Sequence, residues 1–207
     1  MSPHPHMLPQ GVGWIEVITG CMFSGKTEEL IRRIRRAQYA RLPVVVFKPT
    51  IDARYAQDSV GSHSGQRFRS VQIDRADQIP ALVQDAAVVG VDEAQFLDAS
   101  LVGICETLAN QGRRVIVAGL DMDYLGRPFE PMPQLLAVAE YIQKQLAICV
   151  VCGNPADRSQ RIVRGEARVL VGEADAYEAR CRRHWNPHSF EPIQQTLPLG
   201  KNLADAG

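Results

Sequence analysis

Regular patterning begins at Trp14. Trp14-Ile15-Glu16-Val17-Ile18-Thr19 is a short β-rich run that stops at Gly20. A glycine-bearing loop follows, and from Thr27 the period changes. Leu30, Ile34 and Ala37 recur at helical spacing, with Arg32, Arg33, Arg35 and Arg36 on the flanks. Acids in the first turn (Glu28, Glu29) and arginines later suit the dipole of a helix. Pro43 is the expected stop, and Val44-Val45-Val46-Phe47 reads as a second buried strand. Residues 49–70 are polar and irregular and predict one long loop, a feature usually tied to function. A weak helix over 77–85 leads to a third apolar strand, 87–92, that ends on Asp92. A helix over 101–110 closed by Gly112, a strand over 114–119, a helix over 133–142 and a strand over 145–150 complete the series. Apolar strands alternating with helices predict an α/β fold with a parallel sheet covered on both faces.

From Cys149 the texture changes to short β-rich pieces, 161–163 and 167–171, separated by turn residues. The expected organisation is an α/β domain over 12–146, a small domain over 147–185, and tails at 1–11 and 186–207. No internal repeat is visible.

Composition narrows the function classes. At 207 residues and 22.9 kDa the expectation is one domain, or one domain with a small appendage. Its 23 basic and 23 acidic residues cancel, which argues against a nucleic-acid coat or a polybasic membrane anchor. No apolar run approaches the ~20 residues of a membrane helix. The proline-bearing start lacks the charged and apolar regions of a signal peptide. A cytoplasmic protein without nucleic-acid or membrane partners is the expectation. Only four lysines are present: Lys26, Lys48, Lys144 and Lys201. Five cysteines, three of them late and beside a histidine, favour a metal over disulfides in a reducing compartment.

The chemistry is carried by three constellations. Gly20-Cys21-Met22-Phe23-Ser24-Gly25-Lys26-Thr27 fits G-x-x-x-x-G-K-[ST] in full, with a strand before it and a helix after it. Its backbone N–H groups and helix N-terminus would cradle phosphates, Lys26 would reach the β- and γ-phosphates, and Thr27 would hold Mg2+. Asp92, at the end of the third strand, is placed to orient the same ion. Glu93, one residue on, points elsewhere and is placed to polarise a water or an acceptor hydroxyl. Cys149-x-x-Cys152 and Cys181-x-x-His184 form two knuckles, and four N/S ligands suit a closed tetrahedral Zn2+ site of structural type. These residues alone leave a recombinase-type ATPase and a zinc-ribbon, ATP-hydrolysing nucleic-acid binder open as rivals.

The combination resembles the zinc-containing thymidine kinases, the type that includes the animal cytosolic enzyme. Carrying the resemblance are Gly20–Thr27 with the Glu-Glu-Leu-Ile-Arg-Arg that follows, Asp92-Glu93-Ala94-Gln95-Phe96, and Asp52-Ala53-Arg54-Tyr55. Gly119-Leu120-Asp121-Met122-Asp123-Tyr124, Arg127-Pro128-Phe129 and the two knuckles extend it over about 12–185. It implies a RecA-like phosphate-loop NTPase fold with a zinc-bound lasso, transferring the ATP γ-phosphoryl group to the 5′-hydroxyl of thymidine. It makes Glu93 the general base and lines the ATP site with Gly20–Thr27, Asp92, Glu93, Ala94 and Gln95. Asp52 would assist Mg2+, and Arg54 would touch phosphates. Thymidine would meet Met22, Phe96, Leu120, Phe129, Ser159, Gly172 and Tyr177, with the lasso backbone reading the base. Ser159 stands where the family usually has threonine, and Glu173 where a small residue is common. A homotetramer and feedback inhibition by thymidine triphosphate complete what the resemblance implies.

Overall fold

The computed structural model describes residues 11–51, 59–61, 67–164 and 176–190. The core is a six-stranded sheet in the order β5-β2-β6-β7-β1-β8, every neighbouring pair parallel. Its strands are β1 (Trp14–Gly20), β2 (Val44–Pro49), β5 (Val71–Ile73), β6 (Val88–Val91), β7 (Arg114–Gly119) and β8 (Tyr141–Gln145). Side chains alternate across it. Ile15 and Val17 join the layer under α3 (Ser100–Asn110) and α4 (Met132–Val138). Ile18, Val46, Val88 and Ile116 pack beneath α1 (Lys26–Tyr39), whose Leu30, Ile31, Ile34 and Ala37 fill that face. Truncating Ile34 to Ala would cost about 2–5 kcal/mol by this burial alone.

One strand, β7, separates β1 from β6. Because all strands run the same way, the loop after Gly20 and the acid after Val91 open at the same sheet end with a crevice between them, the usual ligand position in such sheets.

Several elements depart from expectation. The helix predicted over 133–142 ends at Val138, and 141–145 is strand β8. The apolar spacing there also suited a helix, but β1 had a free edge. Glu140 accepts a hydrogen bond from Ile15 N–H at 2.7 Å, and Glu16 to Gly20 pair with β8. The strand predicted over 145–150 shrinks to β9 (Ala147–Ile148), paired antiparallel with β10 (Pro155–Ala156), because the chain must then turn at Cys149. Within 49–70, β3 (Ser59–Gly61) and β4 (Arg67–Arg69) form an antiparallel hairpin rather than continuous loop, and β5 follows. The 77–85 helix is a 3-10 turn, Ala76–Gln78, and a single helical turn, α2 (Ile79–Leu82). The piece at 161–163 is instead β11 (Arg158–Arg161), paired with β12 (Tyr177–Arg180). The predicted piece at 167–171 lies outside the described residues.

A phosphate loop, an acid pair and a Cys3His cluster

The phosphate loop turns on Gly20, at φ 136°. A Cβ there would lie 2.1 Å from the Gln145 carbonyl oxygen of β8, so only glycine lets the loop leave the sheet at this point. Ser24 Oγ and Lys26 Nζ both donate to the Cys21 carbonyl at 2.8 Å. Gly25, at φ 83°, begins α1 without a side-chain cap, which leaves the first-turn N–H groups facing the loop. Glu28 and Glu29 occupy that first turn as expected.

The Thr27 hydroxyl donates to the Asp92 carboxylate at 3.3 Å and 3.4 Å. Neighbouring ligands on an octahedral Mg2+ lie roughly 2.9 Å apart, given metal–oxygen bonds of about 2.0–2.1 Å, so the pair fits one such ion with little movement. Glu93 takes a left-handed backbone (φ 50°, ψ 41°), uncommon without glycine. Gln95 Nε2 donates to Glu93 Oε2 at 2.6 Å, and Leu120 N–H donates to Gln95 Oε1 at 3.0 Å.

Around the crevice, Phe96 and Phe129 meet edge to face with centroids 6.2 Å apart. Met22 N–H donates to Ser159 Oγ at 3.0 Å, so the phosphate loop and β11 touch. Leu120 joins Gln95 through its N–H, and Tyr177 is buried on β12 opposite Arg161. Asp52, Arg54, Gly172 and Glu173 lie outside the described residues.

The ligand atoms of Cys149, Cys152, Cys181 and His184 all lie within 4.8 Å of one another. Cys152 Sγ is 3.8 Å from Cys181 Sγ, and His184 Nδ1 is 3.8 Å from Cys149 Sγ and 3.4 Å from Cys181 Sγ. Tetrahedral Zn–S bonds of about 2.3 Å place sulfurs roughly 3.8 Å apart, so the donor set fits zinc. Burial pushes the Cys149 thiol up. Backbone N–H groups of Cys181, Val151 and Cys152, with His184, outweigh it and bring the thiol down to about 6 from 9.0. Asn154 Nδ2 donates to Cys152 Sγ at 3.3 Å, a contact that orients this ligand from outside the cluster. The other two cysteines are buried, and burial pushes Cys105 up to about 12, which fits plain packing roles.

A sequence model of the thymidine kinase family matches residues 13–185, well over half the chain. The chain belongs to the thymidine kinase family. A thymidine kinase of Rhodothermus sp. is 59% identical over 189 residues, covering 90% of this chain and 89% of the relative. One from Bdellovibrio bacteriovorus is 56% identical over 181 residues, covering 87% and 89% respectively. Membership makes the chain a kinase and agrees with the α/β phosphate-loop fold and its Cys/His cluster. Among the described residues no helix is long and apolar enough to cross a membrane.

Sequence reasoning missed three features of this thymidine kinase family site. The Gln95 bridge joins Glu93 to the end of β7. Lys144 Nζ pairs with Asp121 Oδ2 at 2.6 Å, between the end of β8 and the residues after β7. Arg161 is fully buried with its guanidinium 4.9 Å over the Tyr124 ring. The scarcity of lysine was the one available signal for Lys144. The other two depend on contacts between distant segments. The start of the C-terminal segment is also tied down: Gln160 Nε2 donates to the carbonyls of Asn186 and Ser189, at 2.8 Å and 2.7 Å.

Proposed function

We propose that this chain transfers the γ-phosphoryl group of ATP to the 5′-hydroxyl of thymidine. The observation that carries the reading is the Thr27–Asp92 contact, because it joins the phosphate loop to the strand end that Glu93 directly follows. Lys26 and the loop N–H groups hold the β- and γ-phosphates. Thr27 and Asp92, with Asp52, are the residues that would hold Mg2+, whose charge offsets that of the separating phosphates. The Glu93 carboxylate accepts the hydroxyl proton as the 5′-oxygen bonds to the γ-phosphorus. The bond from that phosphorus to the bridging oxygen breaks, and its electron pair leaves on ADP.

Met22, Leu120, Phe96, Phe129 and Tyr177 wall the nucleoside, with Ser159 and Gly172 completing the set of thymidine-binding residues. The four knuckle residues hold a structural zinc that clamps the lasso at its root. A division near residue 146 fits the end of β8 at Gln145 and the start of β9 at Ala147. Thymidine triphosphate carries both a thymine and a phosphate chain, so it offers ligands to both halves of the crevice and acts as a feedback inhibitor. Exposed apolar residues on β8, at the edge of the sheet, support assembly into a homotetramer. Thymidine salvage at the expense of ATP fits a cytoplasmic enzyme.

The test supplies purified protein with γ-labelled ATP and thymidine, deoxyuridine, deoxycytidine or single-stranded DNA. Backbone groups fixed to pair with thymine O4 and N3 meet the wrong partners on cytosine, at about 1–3 kcal/mol for each buried mismatch. Labelled thymidine monophosphate is expected, with deoxyuridine next and deoxycytidine far behind. Label released only as inorganic phosphate, or ATP hydrolysis stimulated by DNA and not by nucleosides, would overturn the reading.

A further inference from the structure

We propose that Gln95 is a positioning residue for Glu93, holding by its side-chain amide the carboxylate that takes the substrate's proton. The inference rests on the reading of Glu93 as the base. Gln95 is 4% exposed and sits in the 3-10 turn Ala94–Phe96 directly after the acid pair. Its two polar ends are both committed within the protein. Leu120 N–H is a donor and nothing else, so the amide oxygen must face it, and the amide nitrogen then has to face Glu93. The orientation follows from the backbone and is not a choice between equivalent flips.

The surroundings are shaped for this bridge. A Cβ on Gly119 would lie 2.8 Å from Gln95 Oε1 and 2.7 Å from Met132 Sδ, so glycine at the end of β7 is what lets the amide lie against the strand. Glu93 is held in a left-handed conformation that an L residue keeps only when its neighbours enforce it. An N–H donor to a carboxylate is a strong, directional bond, well suited to fix one rotamer of a side chain on such a turn. The chain of contacts runs from the rigid end of β7, through the Leu120 N–H and the Gln95 amide, to the Glu93 carboxylate. Base orientation is thereby referred to the sheet and not to the turn alone.

Four variants of the full-length zinc-loaded protein test this: Gln95→Met, Gln95→Glu, Glu93→Gln and the double change Glu93→Gln/Gln95→Met. Met fills the same volume without polar ends. Glu keeps an oxygen for Leu120 N–H but turns a carboxylate on Glu93. Expected for both is a kcat lower by about 10- to 100-fold with KM for ATP and thymidine within about threefold. In the Glu93→Gln background the Met change should cost less than about threefold more, because a residue acting through Glu93 has nothing left to position. A Gln95→Glu variant with near wild-type kcat would show that only the Leu120 contact matters and overturn the proposal. So would an ATP KM that rises while kcat holds, since that marks a nucleotide contact, or a multiplicative double variant. Should Gln95→Met fail to fold, Gln95→Glu alone decides by the same criteria. Wild-type kcat in Glu93→Gln overturns the base assignment itself, a failure distinct from losing the bridge.

Discussion

Glu16 sets a charge inside a strand that otherwise reads as apolar. It is 2% exposed, and it meets Arg33 Nη1 and Arg114 Nε at 2.6 Å each and Trp14 Nε1 at 2.7 Å. Burial pushes its carboxyl up, but the bonds from Arg114, Trp14 and Arg33 outweigh that and hold it below the ordinary 4.5. A carboxyl depressed in the folded state stabilises the fold above its unfolded pKa and ceases to do so as pH falls through the lower folded value. Glu16→Gln should therefore cost about 3–5 kcal/mol at pH 7, as expected when a buried ion pair loses one member. The gap to wild type in urea midpoint should close as pH drops below about 4. A gap that stays constant would deny the charge its role. At the site, Glu93→Gln should slow kcat by about 10²–10⁴-fold at unchanged KM, which steady-state kinetics reads directly. Lys26→Ala should weaken ATP binding as well as rate, since in the proposed mechanism the lysine meets phosphates before reaction. The phosphate-loop segment and the Cys149, Cys152, Cys181, His184 cluster were legible in the sequence, because such chemistry demands fixed local spacing. Gln95 was named from its motif, but its bond to Leu120, like the Asp121–Lys144 pair, was hidden because each contact is defined by a partner on another element.

Elements that bury a clear periodic face were readable: β1, α1, β6, α3 and β7 all stand where their patterns put them. β8 was not, because the stretch after Met132 suits a helix and a strand about equally, and pairing with β1 settled it. The same kind of long-range contact joins the Cys3His unit to the phosphate loop. Ser159 of β11 accepts from Met22 N–H, and Cys21 Sγ lies 3.3 Å from the Ala156 carbonyl of β10. Cys21 also packs with Ala147, Cys149, Ala156 and Ala179 in one small core. This unit therefore supports the phosphate loop directly, which on the proposed function is the ATP side of the crevice. Ser159→Ala should lower ATP affinity about 2- to 10-fold even without thymidine, the usual worth of one hydrogen bond, and Ser159→Thr should restore it. Fluorescent nucleotide titration measures this, and ATP affinity indifferent to Ser159 would sink the coupling. Cys152→Ser, or stripping the roughly one zinc expected per chain, should act in the same direction while the α/β core keeps its circular dichroism.

On the scale of the whole molecule, the sheet has an open edge among the described residues. β8 ends it, and three apolar side chains along this edge and its continuation stand in solvent: Ile142, Leu146 and Ile148, the last 65% exposed. Natural edge strands are usually blunted by proline, charge or cover, and Lys144, itself paired with Asp121, is the one charge in this stretch. Such an edge suits self-association, because strand pairing across a two-fold axis satisfies the open backbone groups of both copies at once. A tetramer of dihedral symmetry needs a second, different two-fold contact in addition, so removing one contact should leave dimers and not monomers. Ile142→Lys with Leu146→Lys would set like charges against each other across the axis without touching the phosphate loop or the zinc ligands. Sedimentation velocity should then show the proposed tetramer reduced to a dimer, with zinc content and the far-ultraviolet spectrum unchanged. A mass that stays tetrameric would mean that β8 faces water in the assembly and that the copies meet elsewhere.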